Sequence, residues 1–405
     1  MKNFIPILLF GLFFVTTSSY INFNDQFSMQ DVEKCDDKVT NQDFMNLARR
    51  YGYKPEEHTI ITEDGYIFNI FRIRATFLSP EAEGKPPVLV GHGIMSSADI
   101  WGLYNRSLGY ALADAGFDVW LGNSRGNSYG RLHKRLSPEE PRFWNFSWHE
   151  IGKLDYASTI DYILNKTNKP NLTLIGYSMG GTASLVLLSE RPEYNQKINV
   201  LINLAPSVFL RNQDAMRAIF FNILYQLKDI IDPNEMIEFL PQGNALIRLA
   251  QDICKDLLDF CGFIFQLITG HDRRLHDKKE IMFASYFYPS GSSARCLWHY
   301  CQMALSGKFQ QYDFGRTRNL LHYGQNNPPA YNLSNVKVDM VIFKATRDYF
   351  STKNDIEEIN NDVSSNVTVE TVNHPTFSHL DFVIAYNVKN LVYDRIAEII
   401  NEYNK

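Results

Sequence analysis

Cysteine is scarce in this sequence: Cys35, Cys254, Cys261, Cys296 and Cys301 are the five present among 405 residues. That is too few for a disulfide-built scaffold, and the odd count leaves at least one thiol unpaired or shared between molecules. No Cys/His spacing suits a zinc site. Basic residues are not in excess, since 40 Lys and Arg face 45 Asp and Glu, and the formal charge of −5 argues against a nucleic-acid partner. The basic cluster RLHKR at 131–135 reads as a solvated loop. Beyond the N-terminus no apolar run approaches the roughly 20 residues a membrane span requires, so no transmembrane anchor is expected after signal removal. Internal repeats and low-complexity segments are also missing.

What is present is enough apolar material for a sizeable core. The chain is 45% hydrophobic and 14% aromatic, and its length suits one large domain with an insertion, or two domains. MKNFIPILLFGLFFVTTSS begins with one lysine, continues with an apolar run of about twelve residues and ends near the small residues Thr17 and Ser19. That order predicts a secretory signal peptide over residues 1–19. Sequons at Asn105, Asn165, Asn171, Asn332 and Asn366 agree with a secretory route and are candidate glycosylation sites. A sixth, Asn145 in FWNFSW, has neighbours that look too apolar for an exposed acceptor.

Strands and helices alternate along most of the chain. EEHTIITEDGYIFNIFRI (56–73) predicts a hairpin broken at Asp64-Gly65, and PPVLVGHGI (86–94) and FDVWLGNSRG (117–126) predict buried strands ending in glycine-rich turns. A long amphipathic helix is expected over 147–167, a short buried strand in NLTLIGYSMGG, and a helix from about Thr182 to Glu190. Further strands are expected near 198–205, 338–345 and 367–373, with a closing helix over 391–403. Apolar strands alternating with helices imply an α/β fold, a mostly parallel sheet covered on both faces. From 207 to 325 the rhythm gives way to apolar helical segments such as AMRAIFFNILYQLKDIID and ICKDLLDFCGFIFQLITG. These predict a helical cap (207–325) inserted between a first core part (20–206) and a second (326–405), lying over the carboxyl ends of the strands where ligands sit.

The pattern G-x-S-x-G occurs three times, around Ser124, Ser128 and Ser178. A serine nucleophile needs a strand, a tight turn flanked by glycines, and a helix whose N-terminus favours developing negative charge. LTLI precedes Ser178 and GTASLVLLSE follows it as a helix, whereas YGRLHKRLSPEEP follows the other two with no helix. Ser178 is therefore the expected nucleophile, and Ser124 and Ser128 read as turn serines.

A serine hydroxyl needs a base, and the base needs an acid to fix its tautomer. In an α/β-hydrolase sheet the order is serine, acid, histidine. Asp348 follows the strand VDMVIFKATRD at its carboxyl end, while Asp339 lies at the opposite end and Asp355 in the following helix. Only His374 and His379 come after Asp348, and spacing alone leaves both open. Two backbone N–H groups are expected to receive the oxyanion, at Met179 and at Ile94 in GHGI, with His92 a structural turn residue.

GHGIMSSADIW, DVWLGNSRGNSYGRLH, FWNFSWHEIGKLD, SGKFQQYDFG, NNPPAYNLSNVKV and FSHLDF, together with GYKPEEHTIITEDGYIFNIFRI, resemble segments of the animal acid lipases of the gastric and lysosomal type. The likeness runs from about Tyr51 to the C-terminus. It implies the α/β-hydrolase fold, with Ser178, Asp348 and His379 as the triad, and it selects His379 over His374. It also implies a structural role for GNSRGNSYG. The implied activity is hydrolysis of neutral lipid esters, triacylglycerols or sterol esters, through an acyl-enzyme. The partner is neutral lipid at a lipid–water interface, the location secreted or lysosomal, and no metal or organic cofactor is needed. Rival readings are a lipid carrier without turnover and a hydrolase of small soluble esters. The sequence departs from the family at the elbow, where Tyr177 and Met179 replace His and Gln, which points to an altered pocket wall. KATRD stands where the family has glycines, and a cap disulfide of the family maps loosely onto Cys254 and Cys261.

Overall fold

In the computed structural model, residues 43–404 are described apart from 244 and 257–274. The expected signal peptide, the Cys254–Cys261 pairing and the apolar segment CGFIFQLITG (261–270) lie outside the described residues. The expected hairpin forms from β1 (Pro55–Ile61) and β2 (Tyr66–Ile73), antiparallel with Ile61 opposite Ile67. Gly65 closes its turn at φ +102°, a conformation L side chains rarely adopt.

The buried strands follow in chain order as β3 (Pro87–Gly91), β4 (Asp118–Leu121), the short β5 (Leu132–His133), β6 (Leu172–Tyr177) and β7 (Ile198–Leu204). A small pair, β8 (Glu238–Phe239) with β9 (Ser292–Ser293), precedes β10 (Met340–Lys344) and β11 (Val367–Thr371). The main sheet is ordered β1-β2-β4-β3-β6-β7-β10-β11, with β5 on β2. From β4 to β11 all neighbours are parallel. β5 corrects the reading of RLHKR as simply a solvated loop. Lys134 and Arg135 are exposed, but His133 uses Nδ1 to accept the N–H groups of Arg135 and Leu136 and Nε2 to donate to the Asp64 carbonyl.

Side-chain alternation along the strands divides the core between the two faces. Leu89, Leu174, Leu201 and Ile342 pack with α3 (Ala157–Thr167) and α4 (Met179–Glu190). Val88, Ile175, Ile202 and Val341 pack on the other face with α1 (Phe44–Arg50), α2 (Leu108–Asp114) and α11 (Asp394–Tyr403). Since both faces are covered, the strands carry continuous apolar runs rather than alternating ones.

Between β7 and β10 the chain leaves the sheet and forms α5 (Ala215–Ile231), α6 (Ala245–Asp256), α7 (Lys278–Ser285), α8 (Ala294–Ser306) and α9 (Arg316–Tyr323). Asp214 caps α5 by accepting the Arg217 N–H, and Ser293 caps α8 by accepting that of Arg295. Phe221 and Leu224 of α5 are buried, whereas Met216, Ile219, Ile223 and Ile230 of the same helix are exposed. The β8–β9 pair within this stretch was not expected from its helical patterning. Cys296 and Cys301 on α8 are free, buried thiols. Among the described residues no helix is long and apolar enough to cross a membrane.

Candidate active site

The turn around Ser178 is tight for a steric reason. A Cβ on Gly176 would lie 2.7 Å from the Gly180 backbone, and one on Gly180 would lie 3.0 Å from the Gly91 carbonyl oxygen. A side chain is excluded by backbone at Gly176 and crowded at Gly180, which is what G-x-S-x-G encodes here. Ser178 itself adopts φ +53°, ψ −113°, a strained conformation that aims its side chain away from strand and helix alike. Its N–H is secured by the Leu204 carbonyl at 3.0 Å. The helix begins at Met179, three residues before the expected Thr182, so Gly180 is already helical while Gly176 still belongs to β6.

Two distant segments reach this serine. His379 Nε2 lies 2.8 Å from Ser178 Oγ, and His379 Nδ1 lies 2.8 Å from Asp348 Oδ2. Asp348 stands in the turn after β10, where its Oδ1 accepts the N–H groups of Phe350 and Ser351 at 2.8 and 3.1 Å. With Asp348 as a carboxylate, Nδ1 must donate, so neutral His379 presents Nε2 as an acceptor to the Ser178 hydroxyl. All three side chains are shielded from water. The other candidates are occupied elsewhere. His374 Nδ1 accepts from Thr376 within its own turn, Asp339 accepts from Asn366, and Asp355 Oδ2 accepts from the hydroxyl of Thr352, the N-cap of α10 (Lys353–Asp362).

Tyr177, one of the two residues at the elbow that depart from the family, is buried against the histidine. Its ring is buried beneath the His379 imidazole, centroids 5.3 Å apart, and its hydroxyl donates to the His379 carbonyl at 3.0 Å. The departure from the family residue therefore acts on the base. Phe350 meets the same imidazole edge-on at 5.2 Å.

Met179 is the first residue of α4, so its N–H belongs to the turn that has no intrahelical acceptor. The turn after β3 comes close to it: a Cβ on Gly93 would lie 3.4 Å from that of Ser178, and Ile94 follows. His92 anchors this turn, its Nδ1 2.8 Å from the Gly93 carbonyl and its Nε2 3.3 Å from Ser124 Oγ. Burial pulls the His92 pKa down to about 4, so the ring is neutral.

Ser124 and Ser128 belong to a buried structural hub. Ser128 Oγ pairs with Ser290 Oγ at 2.7 Å. Between them Arg125 is completely enclosed, held by Asp155 at 2.6 Å and by Asp64 at 2.6 Å. Burial opposes its charge, but Asp155 and Asp64 outweigh that and keep the guanidinium firmly protonated. Asn127 and Asn123 link the same loop to the Ser96 carbonyl and the Ala98 N–H. The repeated glycines thus shape a polar knot beside the site.

Asn105, Asn165, Asn332 and Asn366 are exposed, and Asn171 is half-buried. Asn145 is exposed as well, which corrects the reading from its apolar neighbours: Phe143, Trp144, Phe146 and Trp148 turn inward and leave it outside. Its Oδ1 accepts from Arg295.

A mostly parallel sheet with a strained serine at the strand-to-helix turn defines an α/β-hydrolase, and residues 86–250 match the α/β-hydrolase fold family. Residues 44–104 match the family described as a partial α/β-hydrolase lipase region. The chain is 34% identical to bovine gastric triacylglycerol lipase, over 89% of this chain and 92% of that one. It is 32% identical to lysosomal acid lipase/cholesteryl ester hydrolase of Macaca fascicularis, over 90% and 92%. With Lipase 1 of Drosophila melanogaster it shares 33%, over 88% and 79%. The chain belongs to the family of gastric and lysosomal acid lipases, and it is a hydrolase. A soluble variant of monoglyceride lipase from Saccharomyces cerevisiae shares the fold, with a TM-score of 0.54 at 14% identity over 86% of this chain and 96% of that one.

Proposed function

We propose that this chain hydrolyses carboxylic esters of neutral lipids, triacylglycerols or sterol esters, through an acyl-enzyme on Ser178. The observation that carries the reading is the unbroken chain Ser178 Oγ, His379 Nε2, His379 Nδ1, Asp348 Oδ2, with 2.8 Å at each hydrogen bond. Ser178 Oγ attacks the ester carbonyl while its proton passes to His379 Nε2, and Asp348 stabilises the resulting imidazolium. The N–H groups of Met179 and Ile94 receive the negative charge that forms on the carbonyl oxygen. Collapse expels the alcohol, which takes the proton from Nε2. Water then attacks the acyl group by the same route, and the proton returns to Ser178.

Residues 207–325 act as a cap over this site. Ser178 and His379 are each 6% exposed, too little for an ester carbonyl to reach them while the cap is closed. The exposed row Met216, Ile219, Ile223 and Ile230 recurs at spacings that place it on one side of α5, which suits contact with a lipid surface. An interface that binds the open form more strongly shifts the population toward it. The exposed sequons and the lipases among its relatives support a secreted or lysosomal location, with Asn105, Asn165, Asn332 and Asn366 accessible to glycan transfer.

The test combines a fluorophosphonate probe with emulsified triacylglycerol, cholesteryl ester and a soluble short ester, at acid and neutral pH. Labelling of Ser178 with turnover of the emulsified esters is expected. Failure to label leaves a lipid carrier, and turnover of the soluble ester alone leaves a small-ester hydrolase. Proteolysis of residues 207–325 should change when lipid is added, and unchanged nicking with a flat rate across the substrate's solubility limit would reject the moving cap.

A further inference from the structure

Ser178 Oγ has a second side-chain neighbour. Ser207, three residues beyond the end of β7, places its own Oγ 3.3 Å away and is itself 5% exposed. Two other contacts fix it there. The Ser207 N–H points to the Ser178 carbonyl at 3.4 Å, and the Ser207 carbonyl accepts from Thr182 Oγ1 at 2.7 Å. Thr182 also meets the Tyr300 hydroxyl of α8 at 2.9 Å, so the arrangement is clamped between the first turn of α4 and the cap.

The protons decide the direction of the Ser207 contact. Asp348 obliges His379 Nδ1 to donate, which leaves Nε2 as an acceptor and commits the single Ser178 hydroxyl proton to it. Ser178 Oγ therefore has only lone pairs to offer Ser207, and Ser207 must be the donor. We infer that Ser207 is a catalytic residue that donates a hydrogen bond to the reacting oxygen itself, an inference that rests on Ser178 being the nucleophile.

Its effect is greatest where Ser178 Oγ carries negative charge. In acylation the Oγ–C bond forms as the proton moves to His379, and the Ser207 donor stabilises the alkoxide character at that moment. In deacylation water adds to the acyl carbon and gives its proton to Nε2. The C–Oγ bond then breaks, its electron pair goes to Oγ, and Nε2 returns the proton. Ser207 keeps its own proton throughout, and its hydrogen bond makes Oγ a better leaving group. Catalytic contacts of this kind tighten from the resting distance when charge develops.

A net hydrogen bond of this sort corresponds to about a three- to tenfold change in rate. The experiment compares full-length wild type, Ser207→Ala and Ser207→Thr. Its readouts are kcat and KM on a soluble p-nitrophenyl ester, the second-order inactivation rate with diethyl p-nitrophenyl phosphate, and thermal melting. Ser207→Ala removes the hydroxyl and leaves both backbone contacts in place. Expected results are a fall in kcat and in inactivation rate by that factor, an unchanged KM and melting temperature, and recovery in Ser207→Thr. Wild-type rates in Ser207→Ala would overturn the inference, as would a loss that follows a fall in melting temperature and is not recovered by threonine. If the wild type itself fails to react with the phosphate ester, Ser178 is not a nucleophile and both readings fall. Reaction of the wild type with no effect of Ser207→Ala removes Ser207 alone.

Discussion

Asp348→Asn separates the geometry of the site from its chemistry. Asparagine keeps an oxygen for the N–H groups of Phe350 and Ser351, so the turn after β10 retains its shape. Where Oδ2 stood 2.8 Å from His379 Nδ1, the variant can present an NH2 group, which obliges Nδ1 to accept. The imidazole proton then moves to Nε2, which donates to Ser178 Oγ across the 2.8 Å contact instead of accepting from it, so the base can no longer take the serine proton. The imidazolium also loses its carboxylate. Such a change lowers turnover by about 10⁴-fold in a serine triad, equivalent to about 5.5 kcal/mol of transition-state stabilisation. KM should stay near the wild-type value, because Asp348 lies behind the histidine. The assay is initial-rate kinetics on a soluble ester together with a thermal melt. Asp381 supplies the control. It is fully buried two residues from His379, but its Oδ2 accepts the Ser378 N–H at 2.5 Å and its Oδ1 lies 2.7 Å from His276 Nε2. Asp381→Asn should lower stability and leave kcat within about tenfold in the folded protein. If Asp381→Asn abolishes turnover while Asp348→Asn retains more than about a tenth of it, the acid has been misassigned.

Ser178→Ala should remove turnover by several powers of ten, while Ser124→Ala and Ser128→Ala, which lose contacts to His92 and Ser290, stay within about tenfold when folded. Equal loss in a folded Ser124→Ala or Ser128→Ala protein would refute the elbow assignment. Arg125→Ala strands the enclosed Asp155 carboxylate and should cost about 3–5 kcal/mol of stability, read as a lower denaturant midpoint. Arg125→Lys should rescue little, since it cannot span Asp64 and Asp155 together. His92 links stability to pH. Its folded pKa is depressed to about 4 from 6.5, so below pH 6.5 the unfolded chain binds a proton that the folded one refuses. Its contribution is intact above pH 6.5 and is lost as pH falls to about 4, to the extent of about 3 kcal/mol. His92→Gln should flatten the acid limb of the melting-temperature profile, and an unchanged limb would show that other groups set it.

Several parts of this protein were legible from local chemistry alone. Buried parallel strands need apolar residues on both faces, so β3, β4, β6 and β7 stand out as short apolar runs. The elbow at Ser178 was legible because glycines at 176 and 180 leave the room a strand needs to turn so sharply into a helix. Ser124 and Ser128 could be set aside for the same kind of reason, since no helix follows them.

Which side chains meet was a different matter. His374 and His379 are five residues apart, and spacing could not choose between them. The turn held by Thr376 keeps the first away, and the contact with Tyr177 holds the second against the elbow. Asn145 looked buried because its neighbours are aromatic, yet those rings turn inward and leave the amide outside. Ser207 carried no signal in the sequence: it meets Ser178 because β7 lies beside β6 and the chain after it crosses the first turn of α4. Arg125 likewise finds its partners only in three dimensions, where Asp64 and Asp155 close on it. The sequence by itself determines local backbone geometry, because steric limits and apolar periodicity act within a few residues. Partners drawn from segments 29 to 201 residues apart were decided by the strand order of the sheet and the packing of the cap, and only the tertiary structure contains those.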